Sequence, residues 1–323
     1  MSTIKDVASK TGLSLSTISK YLNGGHVREE NRLAIERAVE ELDYSVNYFA
    51  RSLKANRSRT IGILLPSISS PFFGQVVAAM EPVFRDAGYE SVVCSYYFQP
   101  EAELDKLEFL AHKHVDGLIY VPESARAEQI ASRVGSTPLL LLDRTVPGMH
   151  CDAIVVDNLN AVYMAVEQLI IRGHRRIGFI AGPLRISTAL ERATGYRRVL
   201  ADYSLPVDEA LIRSGGYDVE SGYRLFNELL DLASPPTAIC VTNYDMTLGA
   251  ITAAHERGVS LPADVDFIGY DNINLCRVVN PPLEIIEQPM EQMGREAAGR
   301  ILARIAGDDS PARLLRLKAK LAK

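Results

Sequence analysis

From Ile61 onward, short apolar runs alternate with amphipathic helical patterns along most of the chain. The run at residues 61–65 is short and continuously apolar, which favours a strand that is buried on both faces. The pattern at residues 73–87 favours a helix that ends at Gly88. Repeated alternation of this kind predicts an α/β fold with parallel sheets covered by helices on both faces. Two such sheets fit the length of the region better than one.

The same alternation predicts the remaining elements of this region. Strands are predicted at residues 91–95, 117–121, 139–142, 153–156, 177–180, 238–241 and 266–270, and helices at residues 101–112, 160–172, 189–203, 220–232, 246–257 and 290–305. A cleft between two such sheets, lined by loops at the carboxyl ends of the strands, is the expected place for a ligand. Beyond a turn at residues 307–311, apolar and basic residues alternate with period two over residues 315–321, which predicts one last strand.

The first forty residues follow a helical pattern. Residues 3–23 predict two short helices separated by a tight turn at Gly12, with Thr3 and Ser14 as N-caps. Ile18 and Leu22 are spaced to point inward from the second helix. A third amphipathic helix is predicted at residues 29–42, because two helices alone could not bury a core. Its predicted inner face carries Leu33, Ala34, Ala38, Val39 and Leu42.

The outer face of the second predicted helix offers hydroxyl groups and a cation. It carries Leu15, Ser16, Thr17 and Lys20. A short helix with such a face suits the major groove of DNA. The charge distribution agrees with this, because residues 1–60 have a balance of +3 whereas the rest of the chain carries −8, within an overall net charge of −5. The DNA contact is therefore expected from the amino-terminal part alone.

Composition excludes several other classes of protein. The chain has 323 residues, of which 47% are hydrophobic, enough for more than one domain with a sizeable core. No apolar run is long enough to span a membrane and no signal segment is visible, so no membrane partner and a cytoplasmic location are expected. The four cysteines are widely spaced and are expected to be buried thiols. They are Cys94, Cys151, Cys240 and Cys276.

These motifs occur together, in order, in one known family. The chain resembles the lactose-repressor family of bacterial transcription factors over essentially its whole length. The resemblance rests on residues 3–8, 14–20, 47–53, 70–73, 116–119, 172–178, 269–272, 281–283 and 288–289. It implies a helix-turn-helix DNA-binding domain at residues 1–46, a hinge helix and linker at residues 47–59, and a two-lobed effector-binding and dimerisation domain, of the periplasmic-binding-protein type, at residues 60–323.

The resemblance also implies a homodimer on a near-palindromic double-stranded operator. The residues implied to contact DNA are Thr3, Leu15, Ser16, Thr17, Lys20, Asn23, Arg32, Asn47, Ala50, Leu53 and Lys54. Leu15 and Lys20 depart from the aromatic residue and the arginine that are frequent in the family, and Arg28 replaces its usual capping hydroxyl. Leu53 matches the hinge leucine of the family, an apolar wedge that can open a base step in the minor groove.

The effector site is also implied by position. The expected residues are Phe72, Phe73, Asp143, Thr188, Arg192, Tyr217, Asn243, Asp271 and Gln288. Together they offer an aromatic platform, an arginine, carboxylates and amides, which suits a sugar or sugar derivative. Ile186 stands where the purine-responsive repressor of the family has an arginine, which argues against a purine effector.

Two other classes of protein share part of this pattern. A periplasmic sugar-binding protein shares the two-lobed fold, but it should have a secretion signal and lack the three-helix head. A cofactor-dependent α/β enzyme should show a glycine-rich phosphate turn or a nucleophile with its base, and residues 181–183 do not match a dinucleotide fingerprint. We therefore expect no enzymatic activity, no cofactor and no metal. Inducer and corepressor, repressor and activator, and dimer and higher oligomer all remain alternatives at this point.

Overall fold

The structure is a computed structural model that describes residues 2–22, 25–44, 57–271 and 273–322. The chain divides into two compact units, Met1–Ser58 and Arg59–Lys323, and each is described by itself. The predicted hinge helix at residues 47–54 lies outside the described residues.

The first unit contains the three predicted helices. They are α1 (Ile4–Thr11), α2 (Leu15–Leu22) and α3 (Glu29–Glu41). Gly12 ends α1 with a φ of 68°, a left-handed conformation that glycine adopts without strain. The core of the unit is formed by Val7, Ile18, Ile35 and Ala38. The predicted turn and the inward position of Ile18 are therefore confirmed.

Thr3 and Ser14 precede the first two helices as the sequence predicts. The Oγ of Ser14 accepts the backbone N–H of Thr17 at 3.2 Å, as expected for an N-cap. At α1, Thr3 is the N-cap, and its hydroxyl and backbone N–H both donate to the carboxylate of Asp6, at 2.8 and 2.7 Å. This is the capping-box arrangement, and the two hydrogen bonds lower the pKa of Asp6.

The inner face of α3 matches the predicted one at Ala38, Val39 and Leu42 but not at Leu33. Leu33 was expected to face inward, but it is 42% exposed, whereas Ile35 is fully buried. Ile35, Ala38 and Leu42 follow an i, i+3, i+7 spacing that places them on one face, and Leu33 lies about half a turn away. The prediction chose the wrong one of two apolar residues that lie close together in the sequence.

The second unit has two lobes, each built on a six-stranded sheet. The strands of lobe 1 are β1 (Thr60–Leu65), β2 (Glu90–Ser95), β3 (Gly117–Tyr120), β4 (Leu139–Leu142), β5 (Asp152–Val156) and β11 (Leu314–Leu317). Those of lobe 2 are β6 (Ile177–Ala181), β7 (Ile212–Ser214), β8 (Ala238–Val241), β9 (Asp266–Tyr270), β10 (Glu284–Glu287) and β12 (Lys320–Ala322).

Helices cover both faces of each sheet. Lobe 1 has α4 (Pro71–Asp86), α5 (Pro100–His112), α6 (Ala127–Val134) and α12 (Met290–Ile305). Lobe 2 has α7 (Asn158–Ile171), α8 (Ser187–Asp202), α9 (Val219–Leu230), α10 (Tyr244–Glu256) and α11 (Ile273–Val278). Successive residues of β1 point to opposite faces, so Ile63 packs against Met293 of α12 while Leu64 joins the cluster of Leu107 in α5. The predicted α/β fold with two parallel sheets is confirmed.

The two sheets have the same topology. The strand orders are β2-β1-β3-β4-β5-β11 and β7-β6-β8-β9-β10-β12, and the pairs are parallel except that β12 runs antiparallel to β10. The first five strands of each sheet follow a doubly wound order, which places ligands at the carboxyl ends of the strands. The chain crosses between the lobes after β5, after β10 and after β11.

Several short elements were not predicted. The tail was expected to form one strand, but it forms β11 in one sheet and β12 in the other, because a period-two pattern does not reveal the pairing partner. Strand β10 has only two apolar residues between two glutamates, and β7 has three residues, so neither produces a clear pattern. Helices α6 and α11 were not predicted either.

The cysteines are less buried than expected. Cys240 is buried, but Cys94 and Cys151 are only partly buried, so the prediction is wrong for these two, and the side chain of Cys276 lies outside what the structure describes. Burial raises the pKa of Cys240 to about 12. Within the described residues, no group of acidic, histidine or cysteine side chains is arranged to hold a metal ion. No helix there is long and apolar enough to cross a membrane.

Asp152 attaches the segment from the end of α12 to the start of β11 to the sheet of lobe 1. Its buried carboxylate is 2.6 Å from Nε of Arg304 and 2.8 Å from Nε of Arg300, and it accepts the backbone N–H of Arg313 at 2.8 Å. Burial alone would raise the pKa of Asp152, but the bonds from Arg304 and Arg300 outweigh it and the pKa is lowered. The stabilisation is therefore present above the pKa of the unfolded chain and is lost as the pH falls through the lower, folded value.

We predict that Asp152→Asn destabilises the protein by about 3 kcal/mol at pH 7, because two arginines then lose their buried partner. The free energy of unfolding would be measured by urea denaturation. The matched control is Glu291→Gln, which removes an exposed pair with Arg295 at 3.1 Å and should change stability by less than about 0.5 kcal/mol. Equal stability of both variants would contradict the assigned role of Asp152.

Candidate functional site

The exposed face of α2 presents the residues that were predicted to read DNA. Leu15 is 45% exposed, Ser16 and Lys20 are also exposed, and Thr17 is partly buried. The Oγ of Ser14 lies 2.8 Å from that of Ser16 and 2.9 Å from Oγ1 of Thr17, so the hydroxyl groups form one connected row. The face therefore combines an apolar side chain, hydroxyl groups and a cation on a rigid helix.

The other residues predicted to contact DNA have different surroundings. Thr3 is exposed, and its hydroxyl is bound to Asp6. Arg32 forms ion pairs with Glu29 at 2.6 Å and Glu36 at 2.7 Å, which raise the pKa of its guanidinium. A contact between Arg32 and a phosphate would have to compete with these carboxylates. Asn23, Asn47, Ala50, Leu53 and Lys54 lie outside the described residues.

A cavity of about 320 Å³ lies between the two lobes of the second unit. Its volume is at the lower end of the range for small-molecule sites. All nine residues predicted for the effector site line it: Phe72, Phe73, Asp143, Thr188, Arg192, Tyr217, Asn243, Asp271 and Gln288. The two sheets thus bring together side chains that are more than 200 positions apart in the sequence.

Two aspartates occupy equivalent positions in the two lobes. Asp143 follows β4, Asp271 follows β9, and these strands hold the same place in their sheets. Both residues are buried and both have positive φ values, 65° and 61°. This conformation is uncommon outside glycine, although aspartate adopts it more readily than most residues, and both side chains line the cavity. The duplicated fold therefore points one carboxyl group from each lobe at the cavity.

The surroundings of Asp271 disfavour its ionised form. Its carboxyl group accepts the side-chain amide of Gln288 at 2.6 Å and the backbone N–H of Gln288 at 3.2 Å. Burial raises the pKa of Asp271 to about 7, although the charge of Arg192 and both bonds from Gln288 act in the opposite direction. Burial likewise raises the pKa of Asp143, against the charges of Arg144 and Arg192.

Arg192 is held rigidly at the centre of the cavity wall. Its Nε donates to Asn158 at 2.7 Å, its Nη1 donates to the carbonyl of Thr242 at 2.6 Å, and its guanidinium lies 4.1 Å from the centre of the Tyr270 ring. No described residue is hydrogen bonded to the Nη2 of Arg192. The guanidinium is thus fixed by three neighbours and can offer its remaining nitrogen to a ligand.

Aromatic rings form part of the cavity wall. Phe72 and Phe73 begin α4 and pack edge to face, with 5.0 Å between ring centres. On lobe 2, the hydroxyl of Tyr217 is 3.2 Å from Oγ1 of Thr188, and the guanidinium of Arg144 from lobe 1 lies 5.8 Å from the centre of the Tyr217 ring. These rings offer flat apolar surfaces on both sides of the space between the lobes.

Asn243 has a structural task that the sequence did not reveal. Its Oδ1 accepts the backbone N–H groups of Asp245 and Met246, at 3.0 and 3.1 Å, and thereby caps α10. Only the Nδ2 group of the amide is left by this cap for a ligand. In Gln288 the opposite atom is left, since its Oε1 is buried and accepts no hydrogen bond from the described residues.

Arg144 is the most important lining residue that the sequence analysis missed. It is buried, lies 3.4 Å from the carboxylate of Asp143 and 3.8 Å from that of Glu123, and donates to the carbonyl of Pro122 at 3.2 Å. Its place directly after Asp143, at the end of a predicted strand, was a usable signal. The other lining residues that were missed are Ser67, Ser69, Ser70, Phe98, Asp218, Val219, Tyr244 and Asp245.

Comparisons with known proteins agree for both units. Residues 3–47 match the family described as bacterial regulatory proteins, lacI family, and residues 58–323 match periplasmic binding proteins and sugar binding domain of LacI family. The chain is 35% identical over 310 residues to the HTH-type transcriptional repressor PurR of Actinobacillus pleuropneumoniae serotype 3, covering 95% of this chain and 92% of that one. It is 33% identical over 323 residues to the NTD biosynthesis operon regulator NtdR of Bacillus subtilis, covering 99% and 98%.

Solved structures give the same result. The Lac repressor dimer bound to operator and the anti-inducer ONPF is 28% identical, with a TM-score of 0.89 and coverage of 100% of this chain and 98% of that one. The complex of the transcriptional regulator CelR with cellobiose is also 28% identical, with a TM-score of 0.75 and coverage of 100% and 99%. The chain therefore belongs to the LacI family, and it is a DNA-binding transcriptional regulator under the control of a small-molecule effector.

Proposed function

We propose that this regulator represses transcription by binding a near-palindromic operator as a homodimer, and that a sugar or sugar derivative in the interlobe cavity controls its affinity for the operator. The observation that carries the effector half of the proposal is that nine residues from both lobes line one cavity. We assign residues 1–46 to DNA reading, residues 47–59 to the hinge, and residues 60–323 to effector binding and dimerisation. No catalytic activity is proposed, and the protein is expected to act in the cytoplasm, where its DNA is.

The chemistry of the cavity supports a polyhydroxylated ligand. The carboxylates of Asp143 and Asp271 can accept hydrogen bonds from hydroxyl groups, whereas Arg192 and the amide of Asn243 can donate to them. Phe72, Phe73 and Tyr217 supply the flat apolar surfaces against which the C–H face of a sugar ring packs. Among structural relatives, CelR was solved with cellobiose and an Enterococcus faecium LacI-family regulator with ribose.

The exposed face of α2 supports DNA reading by three residues. Leu15 can make apolar contact with a thymine methyl group, and the hydroxyl of Ser16 can bond to a base edge. Lys20 can reach a guanine or a phosphate, although as a point charge it lacks the forked geometry of arginine. Two such helices in a dimer would meet successive major grooves of a palindromic site.

We expect contacts between the two lobes to transmit ligand binding towards the hinge. Glu123 of lobe 1 pairs with Arg185 of lobe 2 at 3.1 Å, and Arg316 of β11 pairs with Glu191 of α8 at 3.1 Å. A ligand that closes or rotates the lobes moves the roots of the two hinge segments. If these separate, the hinge helices melt and DNA is released, and a corepressor acts in the reverse sense. The coupling requires different ligand affinities in the two arrangements, typically about 1–3 kcal/mol.

The proposal is tested in two steps on the full-length protein. Selection from random DNA at low ionic strength should yield a near-palindromic sequence, and affinity for it should fall steeply as salt rises. A thermal-shift screen with sugars and sugar derivatives should then find a compound that raises the melting temperature and changes operator affinity. Failure to select any preferred sequence, with or without these compounds, would contradict the proposal.

Lys20→Ala is predicted to weaken binding to the selected operator by about 1–3 kcal/mol and to relax discrimination at one position of each half-site. The measurement is a fluorescence-anisotropy titration against the operator and its single-base variants. The matched control is Arg37→Ala, which removes the same charge from an exposed position on α3 and should leave discrimination intact. Unchanged discrimination in Lys20→Ala would exclude base reading by this residue.

Leu53→Ala is predicted to reduce both operator affinity and DNA bending, because a methyl group cannot wedge open a base step. Affinity would be measured by gel shift and bending by energy transfer between dyes at the ends of the duplex. Leu33→Ala is the control, since it shortens an exposed leucine of the amino-terminal unit by the same atoms. If affinity and bending both stay at the wild-type values in Leu53→Ala, the wedge role is wrong.

Asp271→Asn is predicted to stabilise the ligand-free protein near neutral pH. Because the folded pKa of Asp271, about 7, lies above the unfolded value of 3.8, its ionisation opposes folding. The resulting penalty is absent below pH 4, grows by up to about 1.4 kcal/mol per pH unit towards pH 7, and then levels off. Thermal unfolding between pH 5 and 8 measures it, with exposed Asp105→Asn as the control. A stability difference between Asp271→Asn and wild type that does not vary with pH would contradict the prediction.

A further inference from the structure

A tight turn between β2 and α5 carries two aromatic residues in an unusual backbone conformation. The backbone N–H of Gln99 donates to the carbonyl of Tyr96 at 2.9 Å, which closes a four-residue turn with Tyr97 and Phe98 at its centre. Both central residues have positive φ values, 51° and 58°. Positive φ at both positions is the pattern of a type I′ turn, in which asparagine and glycine are the favoured residues.

Two bulky side chains at these positions lower the stability of the folded chain. A bulky residue in the left-handed region is a clear outlier, because its Cβ atom lies too close to the following carbonyl oxygen. Burial in the core does not account for this conformation, since Tyr97 is 62% exposed and Phe98 is 39% exposed. Such strain persists only where the surrounding structure fixes it, and it is found most often at binding and active sites.

The surrounding structure fixes this turn at both ends. Tyr96 is buried, its hydroxyl donates to the carbonyl of Val121 at 3.0 Å, and its backbone N–H donates to that of Leu65 at 3.2 Å. At the other end, Gln99 is the N-cap of α5, and its carbonyl accepts the backbone N–H of Glu103 at 3.1 Å. The strained pair is therefore held between a buried residue that follows β2 and the start of a helix.

The two rings of the turn differ in their relation to the interlobe cavity. Phe98 is one of the residues that line it, whereas Tyr97 is not. Phe72 and Phe73 also line the cavity, but both are buried in the apolar core of lobe 1. Phe98 has the largest exposed fraction of the aromatic residues in the lining, so more of its ring is open to a ligand.

An exposed ring beside polar groups suits a ligand that has both an apolar face and a polar rim. The cavity also contains the hydrogen-bonding groups of Asp143, Asp271 and Arg192. A cyclic sugar carries hydroxyl groups around its rim and C–H groups on its faces, so it can bond to these groups and lie flat on a phenyl ring at the same time. An open-chain polyol offers the same hydroxyl groups but no rigid apolar face.

Resting on the effector role proposed above for this cavity, we propose that Phe98 is a ligand-binding residue and that the effector is a cyclic saccharide whose C–H face stacks on its ring. The strained turn keeps this ring directed at the cavity before a ligand arrives. The stability that the turn sacrifices is thus linked to binding, as is common at functional sites.

Isothermal titration calorimetry on the full-length protein tests this with ribose, glucose, galactose, mannose and cellobiose, and with the open-chain alditols ribitol, glucitol, galactitol and mannitol. Phe98→Leu keeps an apolar side chain of similar volume but removes the flat ring, and it should weaken binding of the tightest sugar by about three- to tenfold. Phe98→Tyr keeps the ring and should stay within about twofold of the wild type. The matched control is Tyr97→Leu, the same kind of exchange at the neighbouring strained position outside the cavity lining, which should leave the affinity unchanged.

The preference for the tightest sugar over its alditol should also be smaller in Phe98→Leu than in the wild type. Equal affinity of Phe98→Leu and wild type, or tighter binding of an alditol than of its parent sugar, would overturn this inference alone. Failure of every probe to bind would overturn the proposed sugar class as well.

Thermal unfolding of the ligand-free protein tests the strain itself. Tyr97→Asn should raise the melting temperature, because asparagine adopts a positive φ more readily than tyrosine and the tyrosine ring is mostly exposed. The sugar affinity of this variant should equal that of the wild type. A lower melting temperature, or a loss of sugar affinity as large as that in Phe98→Leu, would contradict a strained turn that serves Phe98.

Discussion

The hydrogen bonds between Gln288 and Asp271 join the ligand cavity to a place where the chain crosses between the lobes. Gln288 directly follows β10 of lobe 2, and α12, which packs on the sheet of lobe 1, begins two residues later. Asn158 lies just after the crossing that follows β5, and its side chain accepts a hydrogen bond from Nε of Arg192. Two residues that are expected to bind the ligand are therefore anchored on segments that connect the lobes, so the occupancy of the cavity can bias how the lobes are arranged.

The cavity is polar, and the protein itself does not supply every hydrogen-bond or charge partner that its lining groups could use. Asp143 and Asp271 have left-handed backbones, the pKa of Asp271 is raised by burial, and Gln288 keeps an unbonded acceptor. Each feature costs stability in the ligand-free protein. A ligand that supplies the missing donors recovers part of this cost, and the same free energy is then available to change the lobe arrangement.

Most of the fold follows from patterns that are local in the sequence. Continuous apolar runs such as residues 61–65 and amphipathic helices such as residues 290–305 were predicted because their patterns are clear. The tail was predicted as one strand because its alternation is local, whereas its division between two sheets depends on which distant strands, β5 for β11 and β10 for β12, become its partners. Ile35 was overlooked in favour of Leu33 because a choice between neighbouring apolar residues depends on packing. The nine effector residues were located by resemblance, but the place of Arg144 in the cavity wall, between Asp143 and Glu123, required the three-dimensional arrangement.

The central claim is that a small molecule between the lobes and DNA at the amino-terminal unit affect each other through one equilibrium. Thermodynamic linkage tests it directly: the operator dissociation constant is measured with and without saturating effector, and the effector dissociation constant with and without saturating operator. The account predicts that the two ratios are equal and differ from one, by about five- to 150-fold for a typical coupling. Ratios of one, for an effector that binds in the cavity, would contradict it.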